Sequence, residues 1–171
     1  EPFDEITIPE QIEEAKKYLS EIQAIRKKGL RENYFTRIEY LQVWELEIQT
    51  AIKLFEKDYK AAIELAKQGV LLEEKWPAPS GPPRILKPSY ELLGEVYLKA
   101  GKPIQAYEKF SISLLRHPNR IRSLVGAARA ADAKGDREIA MESYQQVFSQ
   151  FKNSNSELPE LNEVRKFLRG E

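Results

Sequence analysis

The chain has 171 residues, enough for one ordinary domain burying roughly 70% of its unfolded surface, with 27 basic residues balancing 27 acidic ones. Zero net charge argues against nucleic acid and against an anionic membrane surface, both of which reward a basic face. With no cysteine, disulfides and thiolate metal sites are excluded and no redox compartment is implied.

Taken in order, Glu1 to Ile8 reads as an irregular lead-in with no signal peptide. With no initiator methionine the chain reads as an excised or processed piece, so compartment is left open. Pro9 suits a first helical turn. Ile12, Ala15, Leu19 and Ile22 then recur three and four apart, with acids in front and Arg26, Lys27 and Lys28 behind, as the helix dipole favours. Gly29 is the expected stop. Asn33 is an expected N-cap for a long helix to about Phe55, carrying Tyr34, Ile38, Leu41, Ile48, Ile52 and Phe55 on one stripe. Trp44 and Ala51 lie off that stripe, so contact on both flanks is expected. Asp58 caps a helix bearing Ala62, Ile63, Ala66 and Val70. Residues 76–88, WPAPSGPPRILKP, hold five prolines and cannot be helix interior. They read as a spacer, with a polyproline ligand as the alternative. Trp76 is expected to pack back on neighbouring helices.

Two gapless units follow, at 87–120 and 121–154. Leu93 and Ala127, Gly94 and Ala128, Tyr97 and Ala131, Gly101 and Gly135, Ala106 and Ala140, Phe110 and Tyr144, and Leu114 and Phe148 all stand 34 apart. A 34-residue period of two helical halves marks a helical repeat. Tyr90, Leu93, Gly94 and Tyr97 in a first helix, with Ala106, Phe110 and Pro118 in a second, resemble the tetratricopeptide repeat. Ser113 stands where that family usually has alanine. Small residues let two helices approach closely. Ile104, Tyr107, Phe110 and Leu114 are expected to form the second helix's stripe. A weaker unit at 33–75 places Thr50 and Ala62 at the Gly94 and Ala106 positions, with Lys57 in place of the glycine between helices. Residues 9–29 read as the second helix of a truncated repeat, with Ala15 as its Ala106. After Asn153-Ser154-Asn155-Ser156, residues 156–169 carry Leu158, Leu161, Val164 and Leu168 on one face and read as a terminal capping helix. The expected fold is therefore all-α: a right-handed α-solenoid of seven to eight helices in one domain. The whole chain is similar to the C-terminal region of large bacterial tetratricopeptide proteins of uncharacterised function, which implies a fold and no activity.

Catalytic chemistry has little to work with. His117 is the only histidine, and before Pro118 it suits a helix end. One histidine and no cysteine make no nucleophilic triad. The glycines at 94, 101, 126 and 135 form no phosphate loop. No cofactor or metal is expected. The resemblance instead implies protein or peptide binding on the inner face of the first helices. The positions counted onto it are Trp44, Glu47, Ile48 and Ala51, then Glu91, Glu95 and Lys99, then Arg122 and Arg129, with Leu54, Phe55, Leu92, Val125 and Asp132 beside them. Glu91 and Glu95 stand where some members carry a lysine and an asparagine that hold a terminal carboxylate, which argues against that partner class. Glu–Arg pairing between units is expected to neutralise part of the face. The competing readings are a structural segment packed on a larger parent, and a regulatory domain of an enzyme whose catalytic part lies elsewhere.

Overall fold

The computed structural model describes residues 9–31, 35–77, 85, 87–152 and 158–170, with side chains from 39 onward in the second of these stretches. Asn33, Tyr34, the Ile38 side chain, most of the proline-rich insert and Asn153 to Ser156 lie outside them. The described residues form eight helices and no strand: α1 (Pro9–Arg31), α2 (Phe35–Phe55), α3 (Tyr59–Glu73), α4 (Ser89–Lys99), α5 (Pro103–Arg116), α6 (Ile121–Ala133), α7 (Arg137–Phe151) and α8 (Pro159–Arg169). The fold is all-helical. Each helix packs on its predecessor and its successor, and the even-numbered helices α2, α4, α6 and α8 also touch one another in sequence. None of the eight is long and apolar enough to cross a membrane.

Three helix pairs, α2–α3, α4–α5 and α6–α7, are joined by the same turn. In each, one residue takes a left-handed backbone: Lys57 (φ 59°), Gly101 (φ 69°) and Gly135 (φ 88°). Its amide donates to the carbonyl three residues back, and the next amide donates five back, as from Gly101 to Leu98 and from Lys102 to Tyr97. This is the Schellman arrangement, which satisfies the last carbonyls of a helix. The second helix of each pair then begins. Asp58 caps α3 by accepting from the Ala61 amide at 3.0 Å, and Asp136 caps α7 by accepting from the Ile139 amide at 3.4 Å. Lys102 holds the same position before α5 and cannot accept.

The cores follow this order. Ala62, Ile63, Ala66 and Val70 of α3 meet Leu92, Leu93 and Val96 of α4. Ala106 and Phe110 of α5 meet Ala127 and Ala130 of α6. Leu124, Val125 and Ala128 of α6 meet Tyr144 and Val147 of α7 and Leu161 and Val164 of α8. Ala62, Ala106 and Ala140 are each fully buried. The Phe110 ring lies between two glycines on different helices. A Cβ built on Gly94 would come within 3.0 Å of three ring carbons, and one on Gly126 within 2.8 Å of three. Neither glycine is needed for its backbone angles; both are needed for room.

Several expectations are corrected. Helix α1 runs through Gly29 to Arg31. A glycine inside a helix costs only about 1 kcal/mol against alanine. Ala15 is half-buried rather than enclosed like Ala106, and Ile12 alone of α1 is buried, because among the described helices α1 packs only against α2. Ile104 is 70% exposed, because the contact face of α5 centres on Ala106, Phe110 and Ser113.

Candidate functional site

The exposed sides of α2, α4 and α6, closed at one end by α8, enclose a groove of about 580 Å³. Helix α2 supplies Glu47, Ile48, Ala51 and Leu54. Positions 47, 51 and 54 share one face by their spacing of four and three. Helix α4 supplies Leu92, Glu95, Leu98 and Lys99; α6 supplies Arg122, Val125, Gly126 and Arg129. The Phe110 ring reaches the floor from α5, between the two glycines. Lys87, just before α4, and Glu160, from α8, complete the rim.

Seven of the residues counted onto the inner face are brought together here: Glu47, Ile48, Ala51, Glu95, Lys99, Arg122 and Arg129. Two are not. Trp44 is half-buried on α2 and is no part of the lining. Glu91 is fully buried. Its carboxylate accepts from Arg120 Nε at 2.6 Å and Nη2 at 2.9 Å, and from Ser123 Oγ at 2.6 Å. Ser123 in turn lies 2.9 Å from Ser113 Oγ. Glu91 thus bonds α4 to the start of α6, and the Ser113 hydroxyl joins α5 to the same network. Among the additions, Gly126 is detectable only as a small residue near Ala127 and Ala128. Lys87 sits at the edge of the insert, and Glu160 belongs to α8, outside the 34-residue pattern from which the other positions are counted.

The rim charges are paired, but not as the Glu–Arg pairs expected between units. Lys87 Nζ lies 2.8 Å from Glu95 Oε2, and Arg122 Nε 3.4 Å from Glu160 Oε1. Arg129 Nε donates to Glu163 Oε1 at 2.8 Å, its Nη2 engages Oε2, and Tyr144 Oη donates to the same carboxylate at 2.7 Å. That bidentate bond raises the already high Arg129 value. Burial, then the Arg129 charge, lowers the Lys99 ammonium. Glu47 differs from these. Its Oε1 is buried without a hydrogen-bond partner. Burial pushes its carboxyl up to about 8, against the pull of Lys87 and with the push of Glu73 and Glu95.

Behind the groove, a second polar group ties down the base of the insert. Glu73 Oε2 accepts from the Ser89 amide at 2.6 Å, capping α4 from another helix. Arg116 Nη2 donates to the Trp76 carbonyl at 3.1 Å. His117 Nε2, at the end of α5, lies 3.5 Å from Glu73 Oε1. Trp76 packs inward, its ring 4.6 Å from that of Tyr40 and its Nε1 donating to Glu39 at 3.0 Å. Among the described residues no cluster of histidine, aspartate and glutamate is placed to hold a metal ion.

No protein-family model matches the chain, and no curated protein matches it either.

Proposed function

We propose that the chain is a tetratricopeptide-type right-handed solenoid whose inner face binds a segment of another protein, without catalysis of its own. The observation that carries this reading is the groove of about 580 Å³. Its apolar floor is framed by paired charges, the distribution that protein interfaces favour. The recurring left-handed turn and the buried alanine of each unit support the repeat assignment. The test is peptide display on the immobilised chain, with Ala51→Arg plus Lys99→Glu as the groove variant and circular dichroism to verify its fold. Selected peptides should bind the variant at least tenfold more weakly. Equal affinity for both chains, or no selected peptide, would refute the reading.

A second reading keeps the chain as a structural or regulatory segment packed on other parts of a larger polypeptide. Tyr18 and Ile25 favour it: they stand two turns apart on α1 and are 48% and 58% exposed. Under this reading Ile25→Asp leaves the isolated chain's melting temperature unchanged and lowers that of the larger protein.

A further inference from the structure

Within the groove, one carboxyl is set up for a partner that the chain itself does not provide. Glu95 is paired with Lys87 and Glu160 with Arg122, but Glu47 Oε1 is enclosed with no donor. Buried polar groups are nearly always satisfied, and an orphan calls for an explanation. The neighbouring charges do not supply one. Lys87 and Arg120 attract Glu47, while Glu73 and Glu95 repel it. Lys87 already serves Glu95, and Arg120 already serves Glu91. Arg116 and His117 lie against Glu73. At the α2 end the groove wall itself carries Glu47 and Glu95 against Lys87, one acid in excess. The opposite end carries Lys99, Arg122 and Arg129 against Glu160 and Glu163, and would repel a cation.

We propose that the groove takes a peptide segment carrying a lysine or arginine beside an apolar residue, and that Glu47 receives the cation. The apolar neighbour lies on Ile48, Ala51 and Leu98. This rests on the peptide-binding reading above and adds a specificity residue to it. Charge complementarity fixes the orientation, because a basic side chain is attracted at the α2 end and repelled at the α6 end. A carboxyl kept at the expense of its own hydration, in the wall of a groove, follows the general pattern in which such costs gather at functional positions. Cation binding favours the ionised carboxylate and so releases a proton. Below about 8, affinity should rise roughly tenfold for each unit of pH.

The test uses the full chain and an array of short peptides with acetylated and amidated ends, so that terminal charges play no part. The strongest binders should share a lysine or arginine at one position beside an apolar residue. Replacing that lysine by norleucine should weaken binding at least tenfold to the wild type and leave binding to Glu47→Gln unchanged. The rise in affinity with pH should also vanish in Glu47→Gln; Glu47→Leu serves as the second variant if the glutamine chain does not fold. Binders with acidic or no charge preference, or a norleucine loss that persists in both variants, would overturn the inference and leave the peptide reading standing. An array with no binders would overturn both.

Discussion

Lys57 adopts a backbone conformation that glycine adopts at the two equivalent turns. A side chain in the left-handed region costs about 1–2 kcal/mol, partly offset by the greater entropy of unfolded glycine. Lys57→Gly should therefore raise stability by about 0.5–1 kcal/mol, read as a higher urea midpoint at constant slope. Glu47 acts through pH. Its folded value of about 8 stands above the ordinary 4.5, so between those values the folded chain holds a proton that the unfolded chain has released. Stability from this group is full below about 4.5 and is lost as pH rises through 8. Glu47→Gln should match the wild type near the bottom of that window. It should become the more stable chain above it, by the order of a few kcal/mol. Urea denaturation at both ends of the window, for both chains, checks this; a difference independent of pH would contradict it.

At the scale of elements, helix spacing across α4, α5 and α6 is set by a ring against two glycines. Gly126→Ala leaves the backbone angles allowed and drives a methyl group into Phe110. Overpacking of this kind costs about 1–3 kcal/mol. Phe110→Leu, destabilising alone, should recover part of that loss in the double variant, the coupling expected of residues in contact. Gly94→Leu should cost at least as much; equal or higher stability would contradict this packing of Phe110 on Gly94. The start of α5 offers the opposite change. Lys102 stands where Asp58 and Asp136 cap α3 and α7, and its positive charge opposes the helix dipole. Lys102→Asp should add about 1 kcal/mol, read from thermal melts in low salt.

For the whole molecule, α8 packs on both α6 and α7. Leu161 and Val164 are buried against Leu124, Val125, Tyr144 and Val147, and Glu160 and Glu163 hold the two arginines of the groove. Ending the chain at Asn155 should expose that apolar surface, worth roughly 25 cal/mol per Å², and free both arginines. A lower melting temperature or aggregation is expected; an unchanged melt would make α8 a loose tail. Phe148 is 44% exposed with α8 in place, so the surface at stake belongs to Leu124, Val125, Tyr144 and Val147, with Phe151 packed beside them.

The all-helical fold, the turns at 101 and 135 and the enclosed alanines were legible in the sequence, because each depends on residues within one helix pair. Alternating stripes, a small residue at a crossing and a glycine at a turn are local choices that recur every 34 residues. The groove was legible in outline for the same reason: counting along a first helix finds the side that faces its neighbours. What the count misses depends on helix rotation and on distant partners. Glu91 occupies an inner-face position by spacing, yet it is drawn inward by Arg120, 29 residues away. Glu47 shares its periodicity with Ala51 and Leu54, and nothing in that spacing distinguishes an orphaned buried carboxyl from a solvated one. Local sequence determined which segments coil and which face of each is apolar. Only tertiary packing decided which charges meet, because ion pairing and desolvation depend on every helix brought to the same place.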